Sequence, residues 1–293
     1  MARGVTHANG IRHEELVLRI SGSSRETFLY LNGLGAERAV SFSENVELQP
    51  ACCEPTPDTI IALCKSELDI GVAAIFLRQV TSQLHVTAGD PEQLAKTAWN
   101  AVWYSVLLSA LYDCDVVCNF QCDVPTQDLS ASSCLEVTNY NLRGLSTSSP
   151  RVLGGGDLTW IEEHMQAAWR LLDADPFQSA VHSLASYRWN PHPRVQLAVL
   201  WAGIEGLFQI ESEFAFRISP YAARFLAPND EEKRRTTFAN VRSLYKARSK
   251  AVHGMALHAD TGNAIVESAQ LLSELVRTCI VSRALPSVDV LAP

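Results

Sequence analysis

Two helical patterns near the C-terminal end of this chain are joined by the stretch Leu244-Tyr-Lys-Ala-Arg248-Ser-Lys-Ala-Val-His253-Gly254. The pattern before it, over residues 230–246, places four apolar side chains on one face that we expect to be buried: Phe238, Val241, Leu244 and Tyr245. The pattern after it, over residues 260–284, has the spacing of a long amphipathic helix. The stretch is therefore expected to lie within an all-α domain.

The stretch combines a guanidinium, a hydroxyl, a lysine and an imidazole within six residues, Arg248 to His253. An imidazole moves protons at neutral pH, and a guanidinium neutralises negative charge on phosphorus oxygens. This set of groups can cleave a phosphodiester without a metal ion, with His253 as general base or acid. The alternative for His253 is a histidine at a helix end beside Gly254, where it binds a backbone carbonyl.

The spacing of Arg248 and His253 raises a geometric question. Five residues correspond to about 140° of rotation on an unbroken helix, so the two side chains do not share a face. Either the helix bends or begins within the stretch, or a second subunit completes the site. Gly203 and Gly206 in an earlier helix could allow another helix to approach closely, although packing within one chain explains them equally well.

Further helical patterns precede the stretch, over residues 160–172, 176–187, 193–210 and 212–226, with Pro220 in the last of them. Antiparallel helices joined by short loops form a helical bundle. Glu205 lies beside the apolar stripe of the third pattern, four residues after Trp201. A carboxylate there is either paired or reaches solvent at the helix edge. In the first case, Glu205 orients Arg248 or His253.

The N-terminal half has a mixed pattern of short strands and helices. Predicted strands cover residues 13–20, 25–31, 83–87, 114–122 and 134–142. One helix is predicted over residues 67–80, and another begins at Pro91 with Asp90 as its N-cap. Because the second helix is apolar nearly all round, we expect it to be central to its domain.

Residues 143–157 are rich in glycine and serine, and we predict a flexible linker over residues 146–157 that ends at Asp157. The glycines at 154–156 lack the lysine and the Ser/Thr of a phosphate-binding loop. The expected fold is α+β, with a mixed α/β domain over residues 1–145 followed by an all-α bundle over residues 158–285.

Cysteine spacing suggests a metal site at first sight. Cys114, Cys118 and Cys122 recur every four residues. On a strand, residues four apart are about 13 Å from each other, too far to bind one ion. Buried free cysteines are therefore expected, and no metal.

The composition is that of a folded protein, with 47% hydrophobic and 19% charged residues among 293. A formal net charge of −8 argues against a broad nucleic-acid surface. Cations nevertheless concentrate over residues 233–250, so any RNA contact is expected to be local; a solvated helix face gives the same pattern. Residues 1–20 show no export signal, and the longest apolar run, residues 101–112, is too short to span a bilayer. We expect a cytoplasmic protein without membrane contact.

The pattern Leu-Tyr-x-x-Arg-Ser-x-x-Val-His-Gly, late in a helical domain and before a long amphipathic helix, resembles the motif of the HEPN superfamily (higher eukaryotes and prokaryotes nucleotide-binding). It looks most like the Apea-like branch found in prokaryotic defence proteins. The resemblance covers roughly residues 160–285, and its specific part is confined to residues 244–254.

This resemblance implies an endoribonuclease that needs no metal ion or other cofactor. A ribose 2′-hydroxyl attacks its adjacent phosphate and leaves a 2′,3′-cyclic phosphate, with Arg248 and His253 as the catalytic pair. Ser249 would donate a hydrogen bond or orient the imidazole. Related domains often carry an acidic residue on the earlier helix, which corresponds to Glu205. Three cations are expected to bind the substrate: Arg242, Lys246 and Lys250.

The resemblance also implies partners. These are an RNA substrate and a second copy of the chain, because HEPN domains pair so that two motifs line one cleft. Antiviral defence or toxin-like growth arrest is the expected role, with a trigger or neutralising partner that the sequence does not identify. The N-terminal domain would act as sensor or substrate selector, by analogy alone. A second class of function is a non-catalytic HEPN module that binds a nucleotide, RNA or a protein partner.

Overall fold

The computed structural model of the 293-residue chain describes residues 18–20, 23–140, 150–210, 214–252 and 261–291. Across these residues the fold is α+β, as the sequence predicts, with an antiparallel sheet and helices on both faces of the sheet. None of the helices in these ranges is long and apolar enough to cross a membrane.

The central strand of the main sheet is formed by an apolar segment of the sequence. The described strands are β1 (Glu26–Asn32), β2 (Leu34–Ala36), β3 (Val40–Ser43), β4 (Val46–Pro50), β5 (Val80–Thr87), β6 (Val117–Cys122), β7 (Leu135–Val137) and β8 (Arg151–Leu153). The main sheet has the order β3-β4-β5-β1-β6-β7, and all neighbours are antiparallel. In the register of β1, Leu29 pairs with Leu84 and Tyr30 with Phe120.

Strand β1 separates two hydrophobic cores because its side chains alternate between the faces of the sheet. Leu29 belongs to the main core, which also contains the apolar residues of the C-terminal helices. Its neighbour Tyr30 belongs to a smaller core on the opposite face. Two short helices cover that smaller core, α1 (Pro57–Leu63) and α2 (Glu67–Phe76).

The remaining described helices are α3 (Pro91–Tyr112), α4 (Gly155–Leu171), α5 (Asp175–Ser186), α6 (Pro193–Phe208), α7 (Phe214–Leu226), α8 (Glu231–Val252), α9 (Thr261–Ser282) and α10 (Val288–Leu291). Helix α3 begins where the sequence predicts, since the Asp90 carboxylate accepts from the backbone N–H of Gln93 at 2.8 Å. Half of its residues are buried, including all six from Leu107 to Tyr112, whereas Trp99 is 51% exposed.

The main core extends across the boundary that the sequence predicts between two domains. It contains Leu107 of α3 together with Ile161 of α4 and Leu272 of α9. The described residues on both sides of the boundary thus share one main core. The division into domains 1–145 and 158–285 stays a prediction from the sequence.

The linker predicted over residues 146–157 is wrong for the part that the structure describes. Strand β8 pairs in parallel with β2, and α4 begins at Gly155, two residues before the predicted end of the linker at Asp157. Composition alone does not show that the backbone of β2 can pair with this segment. Residues 146–149 lie outside the described residues.

Other elements also differ from the predictions. The sequence does not predict β3, β4 and α1. They have four, five and seven residues, so they contain too few alternations or helical turns to give a detectable pattern. Residues 18–20 form no strand, and residues 13–17 of that predicted strand lie outside the described residues. The strand predicted over residues 134–142 is limited to β7 among the residues up to 140.

The cysteine prediction is confirmed for Cys118 and Cys122, which are buried free thiols in β6. Cys114 precedes the strand and is half-buried. Burial raises the pKa of Cys118 to about 12 and that of Cys122 to about 11, so both thiols stay protonated at neutral pH. In the part of the chain that the structure describes, no group of three or more His, Cys, Asp or Glu residues could hold a metal ion.

Candidate functional site

Helix α8 carries most of the predicted site residues and runs from Glu231 through Arg248 to Val252. One side of α8 packs into the bundle, where Val241 and Leu244 are buried. Another side faces α7. The helix is six residues longer than the predicted end at residue 246, so the site does not arise from a helix that begins within the motif. Adjacent residues on α8 point about 100° apart, which decides which of them can meet.

Arg248 and Glu205 meet between α8 and α6. Nη2 of Arg248 donates to Oε2 of Glu205 at 3.2 Å, and the same nitrogen lies 3.2 Å from Oε1. The two side chains are only 22% and 17% exposed. Of the two interpretations that the sequence leaves open, the structure has the paired carboxylate rather than one that reaches solvent.

Burial and charge act in opposite directions on Glu205. Burial raises the pKa of this carboxyl group, and the nearby Arg248 lowers it by a smaller amount, so the pKa is above its ordinary value. Among the described residues, Oε1 of Glu205 and Nε of Arg248 are buried without a hydrogen-bond partner. The pair thus holds the guanidinium in place while one of its N–H donors is unused.

Tyr245 fixes the other side of the guanidinium. The central carbon of Arg248 lies 5.7 Å from the Tyr245 ring centroid. Tyr245 in turn packs edge-on against Trp201, with 5.4 Å between the ring centroids. Nε1 of Trp201 donates to Oγ of Ser268 on α9 at 3.1 Å. Three helices therefore hold Arg248 through a continuous chain of contacts, and Tyr245 is half-buried rather than fully in the core.

The other predicted site residues lie on a different side of α8. A groove of about 550 Å³ between α7 and α8, the α7–α8 groove, is lined by eight residues: Phe216, Ser219, Phe238, Arg242, Tyr245, Lys246, Ser249 and Lys250. Arg248 does not line it. The structure thus divides the predicted site residues between the Arg248–Glu205 pair and the groove, and Tyr245 takes part in both.

The α7–α8 groove is locally positive although the chain has a net charge of −8. Arg242, Lys246 and Lys250 are exposed, and no carboxylate of the described residues pairs with them. Cations in a concave surface attract anions and concentrate them there. The groove can therefore accept phosphate groups.

Four lining residues do not belong to the predicted site: Tyr245, described above, and three more. Phe238, predicted on the buried side of its helix, is 37% exposed because that position of α8 faces the groove rather than α6. Phe216 and Ser219 lie on α7, and no motif in the sequence marks them. The only available signal is the amphipathic pattern of α7, which does not reveal the neighbouring helix.

His253 and Gly254 lie outside the described residues, as do residues 255–260. The described part of the site therefore ends at Val252, one residue before the predicted base, and the pairing of His253 with Arg248 stays a prediction. Comparison of the chain with models of protein families, with curated proteins and with solved structures gives no match. The resemblance to the HEPN superfamily therefore stays a prediction from residues 244–254.

Proposed function

We propose that this chain is a metal-independent endoribonuclease of the HEPN type, acting in the cytoplasm in antiviral defence or toxin-like growth arrest. The observation that carries the proposal is the half-buried Arg248, held by Glu205 with its Nε unused, close to the end of α8. A guanidinium fixed in this way is prepared to stabilise charge on a phosphate. The motif continues from there directly to His253.

The proposed reaction transfers two protons, forms one phosphorus–oxygen bond and breaks another. His253 takes the proton of a ribose 2′-hydroxyl, and the 2′-oxygen attacks the adjacent phosphorus. The bond from phosphorus to the 5′-oxygen breaks, and that oxygen takes a proton from a His253 imidazolium of the paired motifs, so that His253 acts as base and as acid. The products are a 2′,3′-cyclic phosphate and a 5′-hydroxyl. Arg248 stabilises the negative charge on the phosphorus oxygens in the transition state, and Ser249 donates a hydrogen bond or orients the imidazole.

A homodimer forms part of the proposal. Arg248 lies on α8 only four residues before its described end, and the next turn rotates His253 by about 140° from Arg248 if the helix continues. Two copies related by a two-fold axis can place the arginine of one motif beside the histidine of the other.

The decisive experiment is incubation of the purified chain with tRNA and mixed RNA in EDTA, followed by analysis of the RNA ends. We expect cyclic-phosphate ends, and a loss of rate of roughly 100-fold or more in His253→Ala and in Arg248→Ala. Lys233→Ala is the matched control, since Lys233 lies on the same helix, is exposed and does not line the α7–α8 groove or the pocket beside it. Equal loss in the control contradicts the assigned roles.

The same assay tests the dimer when inactive Arg248→Ala and His253→Ala chains are assembled together. Recovered cleavage means that each site draws residues from both copies. A chain that sediments as a monomer at all concentrations and still cleaves RNA contradicts the shared site.

One observation favours the second function, a non-catalytic module that binds RNA, a nucleotide or a protein partner. Ser249, Lys246 and Lys250 face the α7–α8 groove, whereas Arg248 faces α6 and is already neutralised by Glu205. A phosphate in the groove is then held without contact to the motif arginine. RNA binding without cleavage in the EDTA assay, under every trigger tested, supports this module.

A further inference from the structure

We propose that the α7–α8 groove binds single-stranded RNA, with unpaired bases stacked on Phe216 and Phe238 and phosphates along a row of cations on α8. The site deepens the proposed function, because it names the surface that holds a substrate strand beyond the reacting phosphate. Its part in cleavage rests on that function, whereas its binding of RNA can be measured alone.

The aromatic lining is the first observation. Phe216 is 82% exposed and Phe238 is 37% exposed, and both line the groove next to Tyr245. Every nucleobase has a planar face that stacks on such rings, independently of sequence. Exposed aromatic rings interleaved with cations are typical of surfaces that bind single strands.

Ser219 supplies an independent observation. It lies on α7 in the wall of the groove and is only 2% exposed, and its Oγ has no hydrogen-bond partner among the described residues. A buried hydroxyl without a partner lowers stability, and such groups are uncommon. A ligand in the groove that carries donors and acceptors, as nucleobases and ribose do, can pair with it.

The cations form one ridge along α8. Every fourth residue belongs to it, in the order Arg234, Phe238, Arg242, Lys246 and Lys250. Residues spaced by four lie in one inclined row on a helix surface. Arg234 and Lys250 are sixteen residues apart, which corresponds to about 24 Å along the axis, and the row turns by about 160° around the helix between them.

This length favours a strand over a single nucleotide. A second pocket of about 480 Å³ is lined by Arg234 and shares Phe238 with the groove, so the two lie next to each other along α8. Glu231 also lines the second pocket, but its carboxylate pairs with Arg235. A duplex fits poorly, because its bases are stacked inside the helix and cannot reach the phenylalanines.

The test uses a fluorescently labelled 2′-O-methyl oligonucleotide of twelve nucleotides, which lacks the attacking hydroxyl and stays intact. Binding to the full-length chain is measured by fluorescence anisotropy. We expect Phe216→Ala and Phe238→Ala each to weaken binding by about five-fold or more. Trp99→Ala removes an exposed aromatic ring elsewhere and is the matched control, expected to bind like the parent chain.

Two further variants separate binding from folding. Ser219→Ala is expected to weaken binding while its melting temperature equals or exceeds that of the parent, because the lost hydroxyl has no partner in the chain. Lys246→Ala is expected to reduce the slope of log affinity against log salt by about 0.7. Lys233→Ala, an exposed lysine on α8 outside both pockets, is expected to leave the slope unchanged.

Each outcome has a defined meaning. Unchanged binding in both phenylalanine variants overturns the proposal that the groove binds RNA, even if the chain cleaves RNA. It leaves the ribonuclease proposal intact. Groove-dependent binding without cleavage of unmodified RNA supports the groove and contradicts the ribonuclease. Equal affinity for a duplex of the same sequence overturns single-strand binding. If adenosine monophosphate displaces the oligonucleotide completely, and the groove variants weaken its own binding, the groove is a mononucleotide site. That result overturns the proposal that the groove binds a strand.

Discussion

At the scale of single residues, the site depends on how one helix distributes its side chains. Arg248 and Ser249 are adjacent in the motif, yet the first contacts Glu205 on α6 and the second lines the α7–α8 groove. Rotation by about 100° per residue separates them. Tyr245 joins the two groups, since it packs on Arg248 and also lines the groove. A ligand in the groove can therefore affect Arg248 through this ring.

The raised pKa of Glu205 gives a prediction for stability. Because the folded chain holds this pKa above its unfolded value, the folded state binds the proton more tightly. Stability is then lost as pH rises from the ordinary glutamate range, about 4.3, through the raised value. Glu205→Gln cannot ionise, so we expect it to be at least as stable as the parent at pH 7. In thermal melts, the difference in stability between Glu205→Gln and the parent should narrow as the pH falls towards about 4.3.

The matched control for this variant is Glu274→Gln, an exposed carboxylate on α9. Because its side chain is exposed, this substitution is expected to change the melting temperature little at pH 7. In the cleavage assay, Glu205→Gln is expected to lose roughly ten-fold to 100-fold, because the guanidinium is less well positioned. A melting temperature several degrees below the parent at pH 7 contradicts the direction of the pKa shift.

At the scale of secondary-structure elements, prediction from the sequence succeeds where side-chain periodicity extends over several turns. Helices α4 to α9 lie within a few residues of their predicted ranges, apart from the beginning of α4 and the end of α8. The stripe on α6 also placed Glu205 beside the core. The α7–α8 groove was not predictable, because periodicity shows which face is apolar but not which helix covers it. Phe238 is the residue at which this matters.

Helix α6 offers a paired prediction at two glycines. A Cβ added at Gly203 would lie 2.8 Å from Cβ of Ser183 on α5 and 2.9 Å from Cδ2 of Leu272 on α9. At Gly206 it would meet no atom of the described residues within 4 Å. Close packing inside the chain thus explains Gly203, whereas the packing leaves Gly206 unconstrained.

We expect Gly203→Ala to lower the free energy of unfolding by about 1–3 kcal/mol through overpacking. Gly206→Ala should raise it by about 0.5–1 kcal/mol, because alanine favours the helix. Urea unfolding of both variants measures the two values. Destabilisation of similar size at Gly206 would mean that this glycine lies in a contact with another copy of the chain, as the sequence allowed.

At the scale of the whole molecule, the two halves are joined by contacts as well as by a shared core. Arg277 of α9 donates from Nη2 to the carbonyl oxygen of Leu111 at 2.7 Å, at the end of α3. Its guanidinium carbon also lies 4.5 Å from the ring centroid of Trp160 and 5.3 Å from that of Tyr112. Glycine-rich composition near residue 150 suggested a joint, but it does not report such distant contacts.

This arrangement predicts that the C-terminal half does not fold well alone. In a fragment of residues 150–293, the apolar side chains that α3 covers become exposed, each at a cost of about 1.5–3 kcal/mol. We expect the fragment to lose its sharp thermal transition in far-UV circular dichroism, and co-expression with residues 1–149 to restore a single transition. If the isolated fragment melts cooperatively near the temperature of the full chain, the chain has two independent domains, as its sequence predicts.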